Sequence, residues 1–373
     1  MKYYLIAGEA SGDLHGSYLL RALKEKDSNA DFRCWGGDLM AAEGADLQKH
    51  YRELAFMGFV EVLMNIRTIL GNFKLCKADI EAYQPDVLIL IDYPGFNLRM
   101  AKWAKAKGIR VFYYISPQIW AWHTSRVHQI KVNVDRMFVI LPFEKPFYDK
   151  FKVDVDYVGH PLLDVVHDQQ PDPDFRSRNN LTEAPIVALL PGSRKQEISR
   201  MLSVMLKTAE RFPEHQFVVA GAPAQDKSYY EQLFAEHGTP DNLSLVQGQT
   251  YPLLRKAKAA LVTSGTATLE TALLKCPQIV CYRGSSISYA IARRVIQVEY
   301  ISLVNLIMDA PLVLELIQDE FNPDVLSKVL QHLLLDEEQD RLAVGYEDLH
   351  QRLGQGGAAQ RCADLMYSYL HEA

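Results

Sequence analysis

Val262-Thr263-Ser264-Gly265-Thr266-Ala267-Thr268-Leu269-Glu270 decides the fold. The apolar run Ala259–Val262 ends here, three hydroxyl residues and a glycine turn the chain, and a helical pattern starts. A buried strand that empties through a small-residue turn into a helix is the repeating step of a doubly wound α/β domain. Backbone N–H groups and hydroxyls in such a turn make an anion site, because the helix presents its unsatisfied N-terminal donors there. Glu270 falls in the first turn, and a carboxylate that accepts two hydrogen bonds suits a ribose diol. The competing reading is capping by Ser264 or Thr266, with Glu270 complementing the helix dipole.

The same step occurs twice more. Leu190-Pro191-Gly192-Ser193-Arg194-Lys195-Gln196-Glu197-Ile198 follows an apolar run and opens a helix. Arg194 stands where a guanidinium reaches a diphosphate. A cation at a helix N-terminus opposes the dipole, and a bound anion removes that conflict. The plain alternative is an exposed first-turn arginine. At the amino end, Ile6-Ala7-Gly8-Glu9-Ala10-Ser11-Gly12-Asp13 also runs from strand to helix. Gly8 and Gly12 permit close backbone approach, while Ser11 or Asp13 is a candidate N-cap. Glu9 has no packing role at a strand's carboxyl end. The loop does not match GxGxxG, which argues against a nicotinamide cofactor, and the chain has no GxxxxGK[ST].

Working outward, strands are expected at Tyr3–Ala7, Phe32–Trp35, Val87–Ile91, Val111–Ile115, Arg136–Leu141 and Val155–Val158. A second series covers Ile186–Leu190, Gln216–Ala220, Leu243–Val246, Ala259–Val262 and Gln278–Tyr282. Helical patterns separate them, among them Leu14–Lys26 and Asn97–Lys107. Solid apolar runs of this length are strands covered on both faces of a parallel sheet. HDQQPDPDFRSRNNLTEAP, His167–Pro185, is polar and proline-containing, and reads as a linker. The expected organisation is an N-terminal Rossmann-like domain over 1–166, a linker over 167–185, a second Rossmann-like domain over 186–345 and a helical tail over 346–373. The two domains are expected to face a cleft, and the tail to cross back or pack against a partner.

Composition narrows the function. Of 373 residues, 48% are hydrophobic and 23% charged, as in ordinary globular chains. A formal net charge of −6 gives no support for nucleic-acid binding. Five cysteines without a CxxC pair fit a reducing compartment. The N-terminal apolar run is too short for a signal peptide, and no run approaches the ~18 apolar residues of a membrane span. The DxD at Asp154-Val155-Asp156 lies in an alternating run and reads as a solvated strand face. His15, His123, His128 and His160 have no metal-ligand spacing. No metal or cofactor is expected.

Taken together, the chain resembles the bacterial lipid-A-disaccharide synthases. The resemblance rests on AGEASGD (Ala7–Asp13), MGFVEVL (Met57–Leu63), IDYPGFN (Ile91–Asn97), YISPQIWAW (Tyr114–Trp122), LPFEKPFY (Leu141–Tyr148), VGHPLLD (Val158–Asp164), LLPGSRKQEI (Leu189–Ile198), SGTATLE (Ser264–Glu270) and SLVNLI (Ser302–Ile307), in family order over nearly the whole chain. It implies a GT-B fold and an inverting, metal-independent transfer. The 2,3-diacylglucosamine unit would pass from its UDP derivative to the 6-hydroxyl of 2,3-diacylglucosamine 1-phosphate, giving a β-1,6 disaccharide 1-phosphate and UDP. It implies a peripheral location at the cytoplasmic face of the inner membrane, and for some members a homodimer with exchanged C-terminal segments.

The resemblance also implies roles. Asp92, at the end of Val87–Ile91, is the candidate general base and Glu9 the alternative; Asn97 supports the Asp92 loop. Arg194 would neutralise the departing diphosphate. Gly8, Ser11 and Ser193 join the binding set. Gly265, Thr266 and Thr268 would cradle phosphate, Glu270 would hold the ribose and Asn305 would contact the donor near the diphosphate. Tyr93 and Gly95 stand where smaller and acidic residues are expected in better-known members, which bears on the acceptor pocket and leaves Asp92 itself untouched. The nearly charge-free stretch 56–70, with Met57, Phe59, Val60, Leu63 and Met64, is the candidate acyl-chain or membrane contact, against the alternative of a core helix. Lys74, Lys77, Arg293 and Arg294 would add attraction to anionic lipid. The run Ile119–His123 lines the acceptor side or packs between domains. A GT-B relative with a soluble or peptidoglycan-precursor acceptor, a UDP-sugar epimerase and a non-catalytic nucleotide-sugar-binding module are the competing functions. The apolar stretch argues for a lipid acceptor, and the carboxylates argue for catalysis.

Overall fold

The computed structural model describes residues 1–54, 66–122, 124–285, 289 and 298–372. The chain divides into two compact units, Met1–Asp164 with Gln355–Ala373, and Val165–Gly354.

The first unit is built on a parallel sheet of β1 (Lys2–Ala7), β2 (Asp31–Gly36), β3 (Asp46–His50), β4 (Val87–Ile91), β5 (Arg110–Tyr114), β6 (Arg136–Val139) and β7 (Asp156–Tyr157), in the spatial order β3-β2-β1-β4-β5-β6-β7. All five residues of β4 are buried, because helices cover both sheet faces. On one face Tyr4, Ile6, Leu88, Leu90 and Tyr113 pack with Trp35, Phe96 and Met100. The chain order reverses between β1 and β4, which pair with Ala7 beside Ile91.

The second unit repeats the plan with β8 (Ile186–Leu190), β9 (Gln216–Gly221), β10 (Leu243–Gln247), β11 (Ala257–Thr263), β12 (Gln278–Tyr282) and β13 (Leu314–Ile317), in the order β10-β9-β8-β11-β12-β13. Its reversal lies between β8 and β11. In open parallel sheets the crevice at such a reversal, beyond the strands' carboxyl ends, is where ligands bind. The fold therefore nominates the exits of β1, β4, β8 and β11.

Three details differ from the sequence pattern. Strands β3 and β13 carry no apolar run long enough to read. Of Val155–Val158 only Asp156–Tyr157 is strand, and Asp156 is not simply solvated: it accepts hydrogen bonds from the Tyr369 hydroxyl at 3.1 and 3.2 Å. Within 167–185 the short helix Phe175–Arg178 sinks Phe175 completely into the second unit's core.

The tail is three helices, Pro323–Leu333, Asp336–Leu353 and Ala358–His371. The last belongs to the first unit. Arg361 Nε donates to the Val158 carbonyl at 2.9 Å, Arg110 donates to the Tyr369 carbonyl at 2.8 Å, and the Arg136 guanidinium lies 3.9 Å from the Tyr369 ring centre. Asp164, the last residue of VGHPLLD, accepts from the Gly357 and Ala359 N–H groups at that helix's start. All five cysteines are buried and free.

Candidate functional site

At the first reversal, Glu9 ends the β1 turn and occupies the N-cap position of the helix Ala10–Lys26 without a side-chain cap bond. The cap expected of Asp13 goes elsewhere. Its buried carboxylate accepts from the N–H groups of Gly37, Leu39 and Met40 at 2.8, 3.1 and 3.0 Å, and so holds the start of the helix Asp38–Ala42 against the Gly8–Asp13 loop. Ser11 lies in the first turn, partly exposed.

Asp92 follows β4 in the left-handed region, with φ of 43°, and Tyr93 continues there with φ of 47°. Non-glycine residues in this region cost free energy, and runs of them cluster at functional sites. Tyr93, not Asp92, is the N-cap residue of the helix Pro94–Ala106. The strain is held by backbone bonds: Asp92 N–H donates to the Tyr114 carbonyl at 3.1 Å, and the Asp92 carbonyl accepts from Asn97 Nδ2 at 2.8 Å and from the Tyr113 hydroxyl. Asn97 is fully buried, and its Nδ2 also lies 3.2 Å from the Ile91 carbonyl and 3.4 Å from that of Ile6. This one amide therefore ties the exits of β1 and β4 together.

Burial pushes the Asp92 carboxyl up to about 7, the negative charge of Glu9 adds to the shift, and the Tyr93 N–H opposes it. A carboxylate poised near neutrality beside a second carboxylate is suited to accept a proton.

A second buried carboxylate, Glu144, escaped the sequence reading. It accepts from the N–H groups of Ile140 and Leu141 at 3.0 and 2.9 Å and from Trp120 Nε1 at 3.3 Å. Burial pushes it up to about 7. It braces Ser116–Trp122, in which Trp120 is buried and Trp122 is 48% exposed. The signal was a glutamate inside the apolar stretch LPFEKPFY.

At the second reversal, Arg194 is the N-cap residue of the helix Lys195–Ala209. Its side chain is 54% exposed and pairs with Glu197 at 3.2 Å. That partner relieves part of the conflict with the helix dipole without an anion, yet an exposed pair of this kind is weak and exchangeable. The turn is steadied from outside, since Gln225 Nε2 donates to the Ser193 carbonyl at 3.2 Å and the Tyr229 hydroxyl to the Lys195 carbonyl at 2.7 Å. Ser193 is exposed.

Gly265, with φ of 156° and ψ of −164°, occupies a backbone region open essentially to glycine alone, and precedes the helix Thr266–Leu273. Gly265 and Thr266 are exposed. Thr268 is different: it is fully buried, and its hydroxyl donates to the Gly265 carbonyl at 2.8 Å, so it shapes the turn from beneath. Thr263 Oγ1 is buried with no hydrogen-bond partner among the described residues. Burial pushes the Glu270 carboxyl up to about 7.

Asn305 is also spoken for. Its Nδ2 donates to the Val313 carbonyl at 2.8 Å and to Glu315 at 2.9 Å, and its Oδ1 accepts from Val313 N–H at 2.9 Å. Both amide hydrogens are used and the side chain is buried. Glu315, unforeseen, gathers the Ile301 and Ser302 N–H groups, the Ser302 hydroxyl and Asn305, while Ser264 Oγ donates to the Ile301 carbonyl at 2.8 Å. The segment 301–305 is thereby fastened to the Ser264-Gly265-Thr266 turn. The sequence signal was a lone carboxylate in Leu314-Glu315-Leu316-Ile317, three residues after Leu312.

Met57, Phe59, Val60, Leu63, Met64, His123, Arg293 and Arg294 lie outside the described residues. The helix Ile66–Tyr83 continues the 56–70 stretch and exposes Leu70 and Leu75, at 58% and 52%. Among the described residues no three His, Cys, Asp or Glu side chains form a metal-binding group, and no helix is long and apolar enough to cross a membrane.

Two doubly wound domains, each with polar loops at its reversal, make up a GT-B fold. Solved structures agree on the fold: a UDP-GlcNAc 2-epimerase from Neisseria meningitidis bound to UDP-GlcNAc (TM-score 0.70, 13% identity, 99% of this chain and 100% of that one) and the glycotransferase of kitacinnamycin (0.63, 15%, 98% of each). At these identities the likeness concerns fold alone. The lipid-A-disaccharide synthetase family model matches residues 3–366. Lipid-A-disaccharide synthases of Syntrophus aciditrophicus and Myxococcus xanthus are 42% and 41% identical, over 99% and 98% of this chain and 98% and 97% of theirs. The chain belongs to the lipid-A-disaccharide synthase family, and is a glycosyltransferase of lipid A biosynthesis.

Proposed function

We propose that the chain transfers 2,3-diacylglucosamine, with inversion, from UDP-2,3-diacylglucosamine to the 6-hydroxyl of 2,3-diacylglucosamine 1-phosphate. The products are the β-1,6-linked disaccharide 1-phosphate and UDP. Asp92 takes the proton of the acceptor hydroxyl as its oxygen bonds to the anomeric carbon, and the bond from that carbon to the diphosphate breaks. Glu9 keeps the proton affinity of Asp92 high. Arg194 leaves Glu197 for the diphosphate and offsets the charge that grows on UDP. The open Gly265–Thr266 turn offers backbone donors to phosphate, and Glu270 takes the ribose hydroxyls. Thr268, Asn97 and Asn305 position these groups.

The observation that carries this reading is the Asp92–Glu9 pair, two carboxylates at adjacent strand exits with Asp92 raised to about 7. The lipid-A-disaccharide synthases at 42% and 41% identity support the donor assignment. Exposed Leu70 and Leu75 with neighbouring Arg67 and Lys74 support peripheral attachment at the cytoplasmic face of the inner membrane. The test mixes the protein with a panel of UDP-sugars and acylated glucosamine 1-phosphates and identifies products by mass. A disaccharide 1-phosphate formed only from the diacylated pair is expected. Transfer to unacylated acceptors at equal rate would overturn the substrate assignment.

A further inference from the structure

Tyr93 does more than follow Asp92. An ideal Cβ on Gly8 would lie 2.3 Å from Tyr93 Cγ and Cδ1, closer than real atoms approach, so the phenol ring rests directly on the Gly8 backbone. Gly8 and Asp92 are the residues just beyond the paired Ala7 and Ile91. The ring thus reaches from the exit of β4 across to the exit of β1, one residue from Glu9. It is clamped behind: its face stacks with Phe96 at 5.8 Å between ring centres, Phe96 stacks in turn on Phe73 at 4.3 Å and Trp35 at 5.7 Å, and its hydroxyl donates to the Leu54 carbonyl at 3.3 Å. The Tyr93 backbone is left-handed, with φ of 47°.

We infer that Tyr93 is a positioning residue, whose ring covers the gap between the β1 and β4 exits and sets the proton affinity of the Asp92–Glu9 pair by keeping water from it. The inference rests on the reading of Asp92 as the base. Among the described residues, Glu9 from the β1 turn acts on Asp92, Tyr93 neighbours it on its own loop, and Tyr113 from β5 donates its hydroxyl to the Asp92 carbonyl; Arg126 and Tyr148 act on Tyr113. Burial and Glu9 raise the Tyr93 hydroxyl above its ordinary value, and burial raises that of Tyr113 further, so both remain neutral where Asp92 titrates. The change in the pair's affinity therefore comes from coverage rather than from a phenolate charge.

The test compares wild type, Tyr93→Phe and Tyr93→Ala, each checked for folding by circular dichroism. The Asp92 carboxyl is titrated by carbon NMR, and kcat/KM for transfer is measured against pH. Tyr93→Phe keeps the ring and is expected to keep the Asp92 midpoint. Tyr93→Ala admits water and is expected to lower that midpoint by about one pH unit or more, with the rising limb of the rate profile moving down alongside it. Gly8→Ala, which displaces the ring without touching it chemically, is expected to move the midpoint the same way. An unchanged NMR midpoint in folded Tyr93→Ala overturns the inference, whatever Asp92 does. Wild-type turnover in Asp92→Ala overturns the base reading instead, and leaves the NMR comparison to judge Tyr93.

Discussion

The two chain reversals use one architecture for opposite electrostatics. In the first unit, the exits of β1 and β4 carry carboxylates, Glu9 and Asp92; the backbone there is forced through left-handed non-glycine residues and laced by Asn97 and Tyr113. In the second unit, the exits of β8 and β11 carry an exposed arginine and a glycine turn that leaves Gly265 and Thr266 open to solvent. Proton transfer needs a desolvated carboxylate held in place, because burial is what raises its affinity toward neutrality. Diphosphate binding needs free N–H donors and a mobile cation, because the ligand itself supplies the charge that orders them. Each sheet supplies a crevice of the same kind, and its loops decide which chemistry occupies it.

That contrast breaks at predictable points. Asp92→Ala is expected to cost the most, about 10²–10⁴-fold in kcat with the fold intact by circular dichroism, the range of a lost general base. Arg194→Ala is next: about 10²–10³-fold in kcat/KM, the range of a lost transition-state charge partner, read from initial rates at varied donor. Asn305→Ala strands the Val313 N–H and Glu315, so a stability loss of about 2 kcal/mol is expected in urea unfolding.

The pH dependence of stability tests the first reversal through Asp92 alone, since burial also raises Glu144 and Glu270 to about 7. Asp92 is held at about 7 when folded against 3.8 ordinarily, so its contribution is complete below about pH 4 and is lost as the pH rises through about 7. Asp92→Asn removes that loss. Its thermal midpoint is expected to exceed wild type by about 2–4 °C near pH 8 and to match it near pH 4. A difference independent of pH would contradict the desolvated carboxylate. Smallest of all, Glu197→Gln frees Arg194 from an exposed pair and is expected to change the donor KM by less than about fivefold.

Much of this was legible in the residues. Val87–Ile91 and Ile186–Leu190 read correctly to the residue because both sheet faces are covered and every position is apolar. The loops at their exits stood out through glycine and charge. Other features were hidden for physical reasons. Strand β3, Asp46–His50, is a half-exposed edge and has no apolar alternation, and Leu314–Ile317 is four residues long with Glu315 inside it. Phe175 is one buried aromatic in a polar stretch, too little to break its pattern. The family resemblance cast Asn305 and Thr268 as ligand contacts; the sequence could not show that their side chains bond to Val313, Glu315 and Gly265, because those partners meet them only in the fold. Tyr93 gave no sign of its place on Gly8, since that contact depends on two successive left-handed residues.

The central claim is that Asp92 takes the acceptor's proton. It is tested most directly by presenting purified Asp92→Ala protein with UDP-2,3-diacylglucosamine and 2,3-diacylglucosamine 1-phosphate and quantifying disaccharide 1-phosphate by mass against wild type. The account predicts a folded protein whose product formation falls by about two orders of magnitude or more. Product at the wild-type rate would contradict it.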